Sequence, residues 1–155
     1  MLRLRVMRVP LVAALCGVLT AGWTGGAATA APARLTFHAV FAGVAADGEH
    51  CTWNGAVAGA TQGRVTIALR QVEPPAAAAN PVWHVTTWWS VRDAREAQSF
   101  AGELEGMVDW KAGTLRLGGT VTDGWRKGSW AAVDAQIIRG DLAGSVTILP
   151  AVARR

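Results

Sequence analysis

The sequence predicts an all-β fold: a single antiparallel, eight-stranded up-and-down barrel that follows an N-terminal signal peptide. Three observations carry that reading. Between residues 99 and 110, Phe100, Gly102, Leu104, Gly106, Val108 and Trp110 alternate with Ala101, Glu103, Glu105, Met107 and Asp109. A period of two places these sets on opposite faces of an extended chain, and no helix could hide the first six on one side. The same beat returns along the chain at hairpin spacing with no long helical pattern between. Consecutive short turns imply up-and-down connectivity, and closure removes the edges that an open meander would expose.

Residues 1–30 read as a secretory signal peptide, and residues 31–155 as one barrel domain. Arg3, Arg5 and Arg8 precede an apolar run over 9–19, and small residues end at Ala28-Thr29-Ala30. A charged start, a short apolar core and an A-x-A site are the marks of export. The core is shorter than the roughly 20 residues that span a bilayer. Cleavage is placed after Ala30, with Ala33 as the near alternative. Leu15 before Cys16 speaks against a lipoprotein, which needs a small residue there. The expected location is therefore secreted or periplasmic.

In the first strand Leu35, Phe37, Ala39 and Phe41 share a face. Asp47-Gly48 and Asn54-Gly55 have the composition of tight turns, with a short strand at 56–60. Over 64–73, Val65, Ile67 and Leu69 alternate with Thr66, Ala68 and Arg70. The proline-rich stretch 73–81 cannot donate to a ladder and is a surface loop. Over 82–91, Trp83, Val85, Trp89 and Val91 oppose His84, Thr86, Trp88 and Ser90, in a composition that favours strands. Residues 92–98 form a loop or one helical turn. After the 99–110 strand, Lys111-Ala112-Gly113 makes a hairpin. Leu115, Leu117, Gly119 and Val121 then face inward, and Asp123-Gly124 turns the chain. Ala131, Val133, Ala135 and Ile137 follow, Gly140-Asp141 turns again, and Leu142, Gly144, Val146 and Ile148 complete the set.

Removing residues 1–30 leaves twelve basic against eleven acidic residues, a net charge of +1. A basic surface for nucleic acid is not supported. Cys51 then stands without a partner in the chain and reads as a small packed residue. Arginine outnumbers lysine thirteen to two, the usage of a GC-rich bacterial genome.

Residues 115–138 read Leu-Arg-Leu-Gly-Gly-Thr-Val-Thr-Asp-Gly-Trp-Arg-Lys-Gly-Ser-Trp-Ala-Ala-Val-Asp-Ala-Gln-Ile-Ile. They resemble the Gly-Gly-x-Gly-x-aromatic-x-Gly-Ala-x-Gly hairpin of allene oxide cyclase and dirigent-like barrels, and residues 140–149 look like their closing strand. Thr-Val-Thr-Asp separates the glycine pair from the aromatic here, and Ala132-Val133 replaces the Ala-x-Gly ending. The resemblance implies an eight-stranded barrel with an interior cavity, often in an oligomer. It carries over no catalytic residue.

The mature chain has seven tryptophans and no tyrosine. Trp83, Trp89 and Trp110 are expected to fill the barrel beside Gly102, Gly106 and Gly119. Trp88, on the polar side, and Trp125, near a rim, are the better ligand surfaces. The candidate ligand-binding residues are Trp88, Trp125, His84 and Trp110. Glu103, Glu105 and Asp109 read as a solvated face rather than an acid–base pair. His38, His50 and His84 have no metal-ligand spacing, and no nucleophile, phosphate or dinucleotide motif occurs. No catalytic residue, metal or cofactor is therefore assigned.

The expected function is that of a secreted, non-enzymatic barrel that binds a small apolar ligand or a protein partner. Its motive is an interior in which tryptophans and glycines leave apolar volume unfilled. The alternative is an isomerase or cyclase of the allene oxide cyclase type working in that cavity. No stable membrane insertion is expected, since tyrosine girdles are missing and the chain ends Ala153-Arg154-Arg155. Homo-oligomerisation stays open.

Overall fold

The computed structural model describes residues 31–72 and 80–151. Residues 1–30, read above as a signal peptide and including Cys16, and most of the proline-rich loop lie outside the described residues. The described chain forms eight strands: β1 (Ala33–Val44), β2 (Cys51–Gly59), β3 (Gly63–Gln71), β4 (Val82–Asp93), β5 (Phe100–Asp109), β6 (Thr114–Gly124), β7 (Trp130–Ile138) and β8 (Asp141–Ile148). They close in sequence order into one antiparallel barrel, with β8 paired back to β1 from Ala33↔Ile148 to Ala39↔Leu142.

Alternation decides which side chains enter. In β5, Phe100, Gly102, Leu104 and Val108 are buried while Glu103, Glu105 and Met107 are exposed. Every other strand contributes to one shared core that includes Leu35, Phe37, Ile67, Trp89, Leu115 and Val146. Burial of this apolar set is the main favourable contribution to folding. Thr87, at an inward position, is also buried. Its hydroxyl accepts from Trp89 Nε1 at 3.1 Å and donates to the Leu104 carbonyl at 3.0 Å, so the buried indole N–H is satisfied. Phe37 meets Trp89 edge-on at 5.0 Å.

Aromatic side chains also cover both ends. At one end Trp83 stacks edge-on against Trp110 at 5.2 Å, and Phe41 against Trp53 at 5.3 Å. Trp53 donates to the Gly140 carbonyl at 2.7 Å. At the other end Trp125 packs against the core beside Phe100. Arg126 follows it, with its guanidinium 5.0 Å from the Trp125 ring. That guanidinium donates to the carbonyls of Ala31 (2.7 Å) and Ile148 (3.3 Å), tying the residues just before β1 to the end of β8.

The structure corrects four local readings. Asn54-Gly55 is not a turn but the middle of β2, which begins at Cys51 rather than 56. Gly55 is needed there because β1 passes so close that an added Cβ would fall on the His38 carbonyl and 2.5 Å from Ala39 Cα. Asp123-Gly124 ends β6 rather than turning, and the turn itself is 125–129. Trp110 does not fill the interior: it lies beyond the last β5 residue at the barrel end, and Trp53, not singled out from sequence, is buried instead. Finally, of the three glycines expected to leave room inside, Gly106 and Gly119 do not, while Gly102 is looser, an added Cβ there having its nearest contact with the Thr120 carbonyl at 3.2 Å. A Cβ on Gly106 would lie 2.9 Å from Leu117 Cα, one on Gly119 2.6 Å from Leu104 Cα, and one on Gly144 2.6 Å from Ala135 Cα. Gly106, Gly119 and Gly144 are bare because neighbouring backbone occupies the space a side chain would take, and the inward side chains around them are almost fully buried.

Candidate functional site

The four residues singled out from sequence do not converge. Trp110 is at one end of the barrel, exposed and edge-on to Trp83, and Trp125 is at the other, packed against the core beside Phe100. His84 and Trp88 share the outer face of β4, four residues apart. His84 Nε2 lies 3.9 Å from Glu105 Oε1, and Trp88 Nε1 donates to Glu103 Oε1 at 3.1 Å. Trp88 lines a formed cleft on this face.

That cleft, of about 500 Å3, is on the outer wall over β5 and β6. It can be built from register alone. Trp88 stands opposite Glu103, Glu103 opposite Thr120, and Thr120 opposite Trp130, in one row across four strands. Strand spacing separates the two tryptophans by roughly 14 Å along the wall. Their rings lean towards each other. The Trp88 indole N–H reaches Glu103 on β5, with His50 behind the ring at 6.2 Å. Trp130 reaches over Gly118 on β6, where an added Cβ would meet its Cζ2 at 2.7 Å. Both rings remain half exposed, 52% for Trp88 and 51% for Trp130.

Glu103, Glu105, Gly118 and Thr120 form the floor, and Arg70, Thr86 and Thr122 the margins. Arg70 is 3.6 Å from Glu49, so its charge is partly matched. The Thr86 hydroxyl is buried without a hydrogen-bond partner. Trp130 was missed from sequence because its place beside Trp88 depends on the register of three strand pairings. Its one local signal is the small Gly118 diagonal to it on the neighbouring strand.

The other acidic groups have structural work. Asp109 accepts from the backbone N–H groups of Lys111 and Ala112, fixing the β5–β6 turn. Asp47 holds the β1–β2 loop through the N–H groups of Glu49 and His50 and the His50 ring at 2.7 Å. Those backbone bonds, then the His50 side chain, lower its pKa below the ordinary aspartate value. At Asp93 desolvation pushes upward, but bonds from Thr61 and from backbone N–H groups including that of Gln98 outweigh it, and its pKa is also lowered. Among the described residues no three potential metal ligands gather. The fully buried polar side chains there are Thr61, Thr87 and Ser129, none of them an acid or a base, while Cys51 packs partly buried against the core.

No family model, curated protein or solved structure matches the chain. The functional reading therefore rests on the site's own geometry.

Proposed function

We propose that this chain is an exported, non-enzymatic binding protein that recognises its ligand on the outside of a filled barrel, in the cleft between Trp88 and Trp130. The observation that carries this reading is the contrast between wall and interior. Strand backbones and side chains occupy the inside, whereas the wall presents two half-exposed indoles across a cleft of about 500 Å3. A cleft of that size is within the range that holds small ligands, about 300–1,000 Å3. Export is supported by the arginine-led apolar start and the Ala28-Thr29-Ala30 site.

The cyclase alternative requires an acid or base inside the barrel, and Glu103, Glu105 and Asp109 all sit outside it. A lipid-embedded barrel is disfavoured by the exposed Glu103, Glu105, Arg116 and Asp134 on the outer faces of β5, β6 and β7, where lipid demands an apolar band.

Titration with N-phenyl-1-naphthylamine and, separately, with laurate tests the reading. The naphthyl ring is expected to bind the wild type and to lose its signal in Trp88→Ala, while laurate leaves tryptophan fluorescence unchanged. Stoichiometric laurate binding that persists in Trp88→Ala would place the ligand inside and overturn the proposal.

A further inference from the structure

We infer that the Trp88–Trp130 trough takes a short neutral saccharide. This deepens, and rests on, the reading of the outer wall as the recognition surface. The ligand must satisfy two features of the trough together: flat apolar platforms at its sides and a floor of hydrogen-bonding groups. A pyranose has both an apolar C–H face that can lie on an indole and a rim of hydroxyls that donate and accept.

The floor excludes simpler chemistries. A ligand that covered the floor with purely apolar surface would strip water from Glu103 and Glu105 and return no hydrogen bond, which is costly for charged groups, whereas an aryl probe can lie on the Trp88 ring without covering them. An anion meets those two carboxylates at close range, and Arg70, which lines the cleft, is already beside Glu49. A quaternary ammonium is held best where several aromatic faces surround it, each within about 6 Å. Here the rings approach different strands, Trp88 over β5 and Trp130 over β6, and so border an elongated site.

Two further features fit a polyhydroxyl ligand. The Trp88 N–H fixes Glu103 Oε1, leaving the carboxylate oriented to accept from a ligand hydroxyl through its remaining lone pairs. Thr120 and Thr122 line the trough with exposed hydroxyls that can both donate to and accept from a ligand.

The test is a fluorescence and calorimetric titration of the mature protein with cellotetraose, chitotetraose and mannotetraose, with choline and N-phenyl-1-naphthylamine in parallel. At least one tetrasaccharide is expected to bind saturably. Trp88→Ala and Glu105→Gln should each weaken it tenfold or more, while Trp88→Phe retains most of the affinity and circular dichroism stays that of the wild type. Trp88-dependent binding of the naphthyl probe with no response to any saccharide would overturn the saccharide assignment and leave the wall reading standing. Tighter binding of choline than of any saccharide would overturn it in favour of a cation. Saccharide binding indifferent to Trp88, Trp130 and Glu105 substitutions would overturn both.

Discussion

Trp88 and Trp89 are neighbours in β4, as Gly118 and Gly119 are in β6, and each pair separates the barrel's two surfaces. Trp89 is buried against Phe37 with its N–H satisfied by Thr87, while Trp88 stands half exposed beside Glu103. Gly119 is bare because the β5 backbone passes against it, whereas Gly118 is bare beneath the movable edge of Trp130. Identical residues one step apart thus do different work. On the inside they set how closely strands pack; on the outside they shape a surface. The lesson is that a glycine beside an aromatic marks spare volume only if neighbouring backbone does not fill it.

Substituting within each pair sharpens that contrast. Trp89→Ala should be the most damaging change, costing about 4 kcal/mol through lost burial and a cavity. Trp88→Ala should cost under about 1 kcal/mol, because half its surface is already in water. Chemical denaturation of the two variants checks this, and similar midpoints would break the distinction. Gly119→Ala is next, at about 3 kcal/mol, since the added methyl meets backbone that cannot turn aside. Gly118→Ala should cost about 1 kcal/mol or less, yet displace Trp130 and weaken binding in the trough. A Gly118→Ala protein that binds as the wild type would show that Trp130 is not part of the site.

The barrel's seam gives a smaller effect. Arg126→Ala removes charge-assisted bonds to Ala31 and Ile148 and should lower stability by about 1 kcal/mol. A chain starting at Arg34 would lose Ala31 and the buried Ala33, which pairs with Ile148, and should melt below one starting at Ala31. Equal melting temperatures would remove Arg126 from the account of closure.

The smallest effect concerns pH. Asp47 and Asp93 have lowered pKa values in the folded state, so the unfolded chain binds protons first as pH falls. Their contribution is present above the ordinary aspartate value near 3.8 and is lost as pH drops through the lower folded values. Asp93→Asn should flatten this part of the acid-unfolding curve; an unchanged curve would mean the loop bonds add nothing.

The strands were legible because alternation is written locally: the inward face of β5 up to Val108, and that of β4 apart from the unnamed Thr87, follow from a period of two. Gly55 defeated the same reasoning, because Asn-Gly composition suits a turn whereas the need for glycine came from β1, a separate strand. The site was half legible. Trp88 declared itself by its polar neighbours, but Trp130 joins it only through the successive registers of β4, β5, β6 and β7. Trp110 and Trp125 looked available because they flank turns, and a turn at a barrel end is also where a ring can cover the core.

The most direct test follows the seven indole N–H resonances of a chain beginning at Ala31 during titration with N-phenyl-1-naphthylamine. Ligand on the wall predicts that the signals of Trp88 and Trp130 move while those of Trp53 and Trp89 stay fixed. Shifts at Trp53 and Trp89 with Trp88 silent would mean that the barrel opens to take its ligand inside, contrary to a filled interior.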